Sequence, residues 1–151
     1  MRNTLLFIVI AAVLVGCGKD KFTTNPQISF KSISPNVLRS DVVKGGQVLP
    51  KLVIHVTDAE GDLGFIQGKD TGFIFIKTLI NNKDTVFIMP DIKSVTTKDF
   101  QGDLIIEPPF VKSARPSPKV DTLFYEIYVM DFAKHKSNVI TTKDPIFFII
   151  P

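Results

Sequence analysis

Three acidic side chains stand at alternate positions in a short segment that also contains glycine, and they are the strongest candidates for chemistry in this chain. The segment reads Asp58-Ala59-Glu60-Gly61-Asp62-Leu63-Gly64. Hard cations such as Ca²⁺ bind about six to eight oxygen ligands, and carboxylates are prominent among them. Glycine lets the backbone turn sharply enough to bring alternate side chains together. The pattern therefore predicts a calcium site on Asp58, Glu60 and Asp62, with its other ligands supplied from elsewhere in the fold.

Two other interpretations of this acidic loop stay open. Acidic residues and glycine also form ordinary solvated turns, in which the carboxylates accept hydrogen bonds from nearby backbone amides. A small hydrolase could instead use Asp58 or Asp62 as a base with a histidine as partner, but no nucleophile stands in a recognisable elbow motif. The loop is not an EF-hand, since Leu63 and Lys69 stand where that motif has glycine and glutamate.

A second chemical signal lies at the N-terminus, where the chain has its single cysteine. A basic start at Arg2 is followed by an uncharged apolar run over residues 5–15, and then by Gly16 and Cys17. This order is typical of a secretory signal peptide. The run is too short for a permanent membrane helix, which takes about 20 apolar residues. We therefore expect a signal peptide over residues 1–16, and a single cysteine cannot form a disulfide within the chain.

The residues before the expected cleavage point, Leu14-Val15-Gly16-Cys17, resemble the lipobox of bacterial lipoproteins. The resemblance implies a lipid on the Cys17 thiol and cleavage directly before this residue. Two or more acyl chains hold a protein stably on a bilayer. The expected location is therefore the cell envelope, at the outer membrane on its periplasmic or its surface face, with residues 17–25 as a lipidated tether. The alternatives are an ordinary signal peptide with an unused cysteine, or a short buried helix.

The lipobox, the acidic loop and the last third of the chain together resemble small, mostly uncharacterised lipoproteins of bacteria with outer membranes. In those proteins a late strand ends in aspartate, and a short loop then leads into Ser-Asn, as Asp131 and Ser137-Asn138 do here. The resemblance implies an immunoglobulin-like sandwich and no activity. This chain departs from the family at Lys134-His135-Lys136, where a Gly-Asn loop is usual, and this puts two cations near any metal. Because Asp131 follows a predicted strand as Asp58 does, we expect it to be a fourth metal ligand.

The rest of the chain predicts an all-β domain that would position these groups. Short segments of alternating polarity recur about every 8–12 residues, with glycine and proline between them, and no segment keeps a helical period. We predict an immunoglobulin-like β-sandwich of about seven strands over residues 26–151. The residues expected on its two facing inner surfaces are Leu52, Ile54, Val56, Tyr125, Ile127 and Val129.

Three further expectations concern individual segments. Residues 146–150 are apolar throughout, which predicts a covered strand, with a partner-binding strand as the alternative. His55 is out of phase with its apolar neighbours and is expected at the surface. Lys112, Arg115 and Lys119 lie in a proline-containing loop and are expected to be solvated.

Composition limits the classes of function. The net charge of +3 is weak, whereas a nucleic-acid partner would require a clustered basic face. No set of residues has the spacing of a catalytic site or a zinc site. We predict a non-catalytic, membrane-anchored binding or structural module whose partner is another envelope protein or a glycan. The alternative is the small envelope hydrolase that uses residues 58–62.

Overall fold

The computed structural model describes residues 22–42, 45–66, 70–91 and 98–151. Cys17 and the lipobox lie outside these residues. Within them, no helix is long and apolar enough to cross a bilayer. The described strands are β1 (Gln27–Ser34), β2 (Val37–Arg39), β3 (Lys51–Asp58), β4 (Phe73–Thr78), β5 (Lys83–Ile88), β6 (Phe100–Ile106), β7 (Lys119–Leu123), β8 (Tyr125–Met130), β9 (Ile140–Thr141) and β10 (Ile146–Ile150).

One layer of the sandwich is the antiparallel sheet β1-β3-β6. Side chains of a strand alternate between the two faces of its sheet, and in β3 the apolar members of that alternation point inward. Leu52, Ile54 and Val56 are completely buried, as predicted. His55 points the other way and lies partly exposed, with its Nδ1 2.8 Å from Asp103 Oδ1.

The other layer consists of two sheets that continue one another along the chain, β5-β4-β8-β9 and β2-β10-β7. Only Phe124 separates β7 from β8. β10 pairs with β7, and β9 pairs with β8. All pairs are antiparallel except β2 with β10, which is parallel. This all-β arrangement confirms the predicted sandwich. Ten strands are described instead of about seven. One long strand is interrupted at Phe124 and another around Pro145, which cannot donate a ladder hydrogen bond, and the three-residue β2 adds one more.

The core joins both layers and lies wholly inside the sandwich. Tyr125, Ile127 and Val129 of β8 are completely buried, as predicted, and they belong to the same cluster as the inward side chains of β3. The Tyr125 hydroxyl donates a hydrogen bond to the Pro109 carbonyl at 3.0 Å. The buried hydrophobic residues of the described chain run from Ile28 to Ile150 and form one cluster, as expected for the core of a single domain.

The last strand is covered, so the prediction of a buried segment is confirmed and the alternative of a free partner-binding strand is wrong. β10 lies between β2 and β7 and is hydrogen-bonded to both. Its alternate residues Ile146, Phe148 and Ile150 are buried. Both edges of the strand are therefore already in use.

Lys119 is not solvated, and here the prediction is wrong. Its side chain is only 8% exposed, and its Nζ lies 3.6 Å from Asp121 Oδ2 and donates to the Arg115 carbonyl at 2.7 Å. The cause is the completely buried Asp121, which also accepts hydrogen bonds from Ser113 N, Ser113 Oγ and Arg115 Nη2. A buried carboxylate needs hydrogen bonds and opposite charges, and the residues of loop 113–119 supply both to Asp121. Lys112 and Arg115 remain exposed, as expected.

Candidate metal site

Asp58 is the last residue of β3, and it turns its carboxyl group inward. The side chain is completely buried, and its Oδ2 accepts hydrogen bonds from Gly61 N at 2.6 Å and Asp62 N at 3.2 Å. The loop closes on itself in this way because Gly61 and Gly64 take φ values of +67° and +118°, which side chains with a Cβ rarely adopt. Asp58 Oδ2 thus stabilises the loop through hydrogen bonds, whereas Oδ1 accepts none.

The three predicted acidic residues come together. Asp58, Glu60 and Asp62 each offer a carboxylate oxygen, and the three atoms lie within 4.8 Å of one another. Glu60 is exposed and Asp62 half-buried. The Oδ1 atoms of Asp58 and Asp62 are buried and have no hydrogen-bond partner. A buried acceptor without a partner costs about 1–3 kcal/mol, and more when it is charged, so this cluster lacks a positive group.

The raised pKa of Asp58 agrees with the lack of a positive group in the cluster. Burial raises the pKa of Asp58 to about 6, and the neighbouring Asp62 carboxylate acts in the same direction, while hydrogen bonds from Gly61 N and Asp62 N act against it. Desolvation and a like charge both disfavour the ionised form of a carboxyl group. A cation bound here would supply the missing positive charge and favour ionisation.

Asp131, the predicted fourth ligand, lies at the same edge of the sandwich. It directly follows β8, and the next residue donates a backbone hydrogen bond, Phe132 N to Asp62 O, at 3.0 Å. Asp131 is completely buried, and burial together with the Asp62 charge raises its pKa, against the hydrogen bonds from His135. The two strand ends therefore meet, although Asp131 is not one of the three residues whose oxygens cluster within 4.8 Å.

Both oxygens of Asp131 are already engaged by one residue. Oδ1 accepts a hydrogen bond from His135 N at 2.8 Å, and Oδ2 lies 3.1 Å from His135 Nδ1. A carboxylate has about four acceptor positions, so either oxygen still has room for a metal. The pairing of His135 with Asp131 was not predicted from the sequence. Their spacing of four residues across a short loop was the available signal for this pairing.

The two lysines of this loop do not neutralise the acidic cluster. Lys134 Nζ donates to the Thr71 carbonyl at 3.2 Å and lies 5.0 Å from the centre of the Phe73 ring. Lys136 Nζ lies 3.9 Å from the centre of the Tyr128 ring. In the part of the chain that the structure describes, neither lysine forms an ion pair. Neither lysine therefore neutralises a carboxylate of the acidic cluster.

No protein-family model, no curated protein and no solved structure matches this chain. The resemblance to small outer-membrane lipoproteins therefore stays a prediction from the motifs, and any function must be argued from the residues themselves.

Proposed function

We propose that this chain is a lipid-anchored, non-catalytic module of the bacterial cell envelope whose β-sandwich is stabilised at one edge by a calcium ion. The observation that carries the calcium assignment is the pair of buried, unpartnered oxygens, Asp58 Oδ1 and Asp62 Oδ1. Glu60 adds a third carboxylate from the solvent side. Water and Asp131 would complete the coordination.

The ligand chemistry favours calcium over other common metals. The cluster of three is made of carboxylate oxygens alone, and oxygen-only sites suit hard cations, whereas zinc is commonly held by imidazole and thiolate groups. Magnesium demands near-ideal octahedral geometry. A site that draws on a buried, a half-buried and an exposed side chain suits the more flexible coordination of calcium.

With Asp131 as a further ligand, the ion would stabilise the fold by joining two loops that are far apart in the sequence. Asp62 belongs to the loop after β3, and its carbonyl accepts the hydrogen bond from Phe132, in the loop after β8. A ligand that binds only the folded state raises stability by RT ln(1 + [L]/Kd). Calcium would therefore act as a structural clamp on this edge.

The lipid anchor rests on the lipobox alone, and the position of the first described residues indicates which part of the domain would lie nearest to it. The Thr23 carbonyl accepts a hydrogen bond from Ala59 N at 3.1 Å, so the first described residues run beside the acidic loop. About six residues separate Cys17 from Thr23, and an extended chain of that length spans at most about 21 Å. The acidic loop would thus stay close to the membrane surface. We propose that the partner of the module is another envelope protein or a glycan.

A small hydrolase is the second candidate, and the pairing of His135 with Asp131 beside Asp62 is the observation in its favour. An aspartate that orients a histidine is part of many acyl-transfer sites. Such a site also needs a nucleophile, and within the described residues no hydroxyl or thiol is hydrogen-bonded to the His135 ring. The calcium clamp therefore remains the better-supported function.

Thermal unfolding of residues 18–151 with calcium and with excess chelator tests the proposal. A hundredfold excess of calcium over its Kd should raise stability by about 2.7 kcal/mol. The double variant Asp58→Asn, Asp62→Asn should lose this rise, and Asp144→Asn, which alters an exposed carboxyl group in the loop before β10, should keep it. Identical unfolding curves with calcium and with chelator would reduce the acidic loop to a solvated turn.

A further inference from the structure

The solvent side of the sheet β5-β4-β8 is apolar. Along these strands the buried residues alternate with outward-facing ones. The apolar members of the outward group, which we call the apolar face, are Phe73, Phe75, Val86, Ile88, Tyr128 and Met130. Val86 is 52% exposed and Ile88 61%. A contiguous apolar group on the outside of a small protein marks an interaction site.

The strand register arranges this face in rows. Phe73 pairs with Ile88 on one side and with Met130 on the other, and Phe75 pairs in the same way with Val86 and Tyr128. The next row is charged, with Lys77 between Asp84 and Glu126. None of these three charges forms an ion pair within the described chain. The face therefore has two apolar rows, on which the ammonium groups of Lys134 and Lys136 lie over the rings of Phe73 and Tyr128, and one row of charges that form no ion pair in the described chain.

The contacts of the aromatic rings favour a protein surface over a sugar as the molecule that binds the apolar face. Phe75 and Tyr128 stack on each other, with centroids 4.5 Å apart and planes 8° from parallel. Lys136 Nζ lies 3.9 Å from the centre of the Tyr128 ring. Each of the two rings thus has one face covered by the other, and Lys136 also lies on Tyr128, which leaves little ring surface for a sugar to stack on. The neighbouring Val86 and Ile88 offer aliphatic surface, which fits another apolar protein surface.

We propose that the apolar face pairs with the same face of a second copy of this chain. A two-fold axis in the interface plane, parallel to β4 and β8 and midway between them, sets each outward residue of β4 opposite its β8 register partner from the other copy. Lys77 then meets Glu126, and Phe75 meets Tyr128. In such an isologous contact every pair occurs twice, so the two Lys77 side chains meet the two Glu126 side chains, and Asp84 on β5 stays outside these pairs. The opposite charges of Lys77 and Glu126 are the observation that favours a second copy over an unrelated partner.

Sedimentation analysis of residues 18–151 over a range of concentrations tests this pairing. We expect a concentration-dependent dimer in chelator as well as in calcium, since the apolar face lies outside the acidic cluster. Val86→Glu buries a charge in the interface and should weaken association at least about tenfold. The matched control is Ile105→Glu, because Ile105 is 65% exposed on β6 of the other layer and should leave the dimer intact.

A charge exchange tests the predicted axis. Lys77→Glu should weaken the dimer by setting Glu against Glu126, and the double variant Lys77→Glu, Glu126→Lys should restore it. Thermal unfolding of each variant checks that the fold is retained. A monomer at every concentration, or an Ile105→Glu variant that loses the dimer while Val86→Glu keeps it, overturns the proposal and assigns the apolar face to a different protein or to the lipid surface. A dimer that the charge exchange does not restore overturns the axis.

Discussion

Replacing Asp58 by Asn is expected to stabilise the calcium-free protein at neutral pH and to make it less stable than the wild type once calcium is present. Burial raises the pKa of Asp58 from 3.8 to about 6. A carboxyl group whose pKa is raised on folding contributes its full stability below pH about 4, and loses it as the pH rises to about 6. Above that range the ionised group destabilises the fold by a constant amount.

The magnitude follows from the size of the shift. A rise from 3.8 to about 6 is roughly two pKa units, and each unit corresponds to about 1.36 kcal/mol. Ionised Asp58 therefore costs about 3 kcal/mol at pH 7 when no cation is bound. Asn lacks the charge, and its amide oxygen can still accept the hydrogen bonds from Gly61 N and Asp62 N. Its amide N–H can donate to the Asp62 carboxylate, whose like charge and side-chain contact contribute to the raised pKa of Asp58.

Urea unfolding at pH 7 and pH 4 measures this effect, with chelator or calcium in the buffer. In chelator the gain from Asp58→Asn should be about 2–3 kcal/mol at pH 7 and close to zero at pH 4, where Asp58 is protonated in the folded wild type. In calcium at pH 7 the order should invert. Asp144→Asn serves as the control at an exposed site. A gain or loss that is the same at both pH values would refute the assignment of the cost to ionised Asp58.

Three further predictions follow from the anchor and the core. Cys17→Ser should move the protein from the membrane to the soluble fraction of fractionated cells, and continued membrane binding would exclude lipid on this residue as the anchor. Although burial alone would raise the pKa of Asp121, hydrogen bonds and charges from loop 113–119 lower it to about 2. Asp121 should thus add about 1–2 kcal/mol above pH about 4 that is lost towards pH 2, and acid titration of Asp121→Asn should lack this step. Tyr125→Phe removes the hydrogen bond to the Pro109 carbonyl and should cost about 1 kcal/mol in urea unfolding, whereas an unchanged midpoint would mean that water replaces the hydroxyl.

Local patterns were sufficient to predict the fold class and the inner faces. The alternation of Leu52, Ile54 and Val56 is a property of β3 alone, and the same holds for β8, because a strand exposes alternate side chains to opposite faces wherever it pairs. The turn between β4 and β5 contains Asn82 with a φ of 55°, a conformation that asparagine tolerates. The clustering of the three loop carboxylates followed from their spacing in a glycine-containing segment.

Contacts between distant parts of the chain were beyond the reach of those patterns. Only the fold brings Phe132 to Asp62, buries both Asp58 and Asp131, and turns Lys136 onto the Tyr128 ring. Lys119 and Asp121 are only two residues apart, so their contact is local; the complete burial of Asp121, which draws the lysine in, depends on the fold. A sequence shows which side chains share the face of a strand. Whether a carboxylate is desolvated, paired or left with an unpartnered oxygen is decided by the atoms that the tertiary structure packs against it.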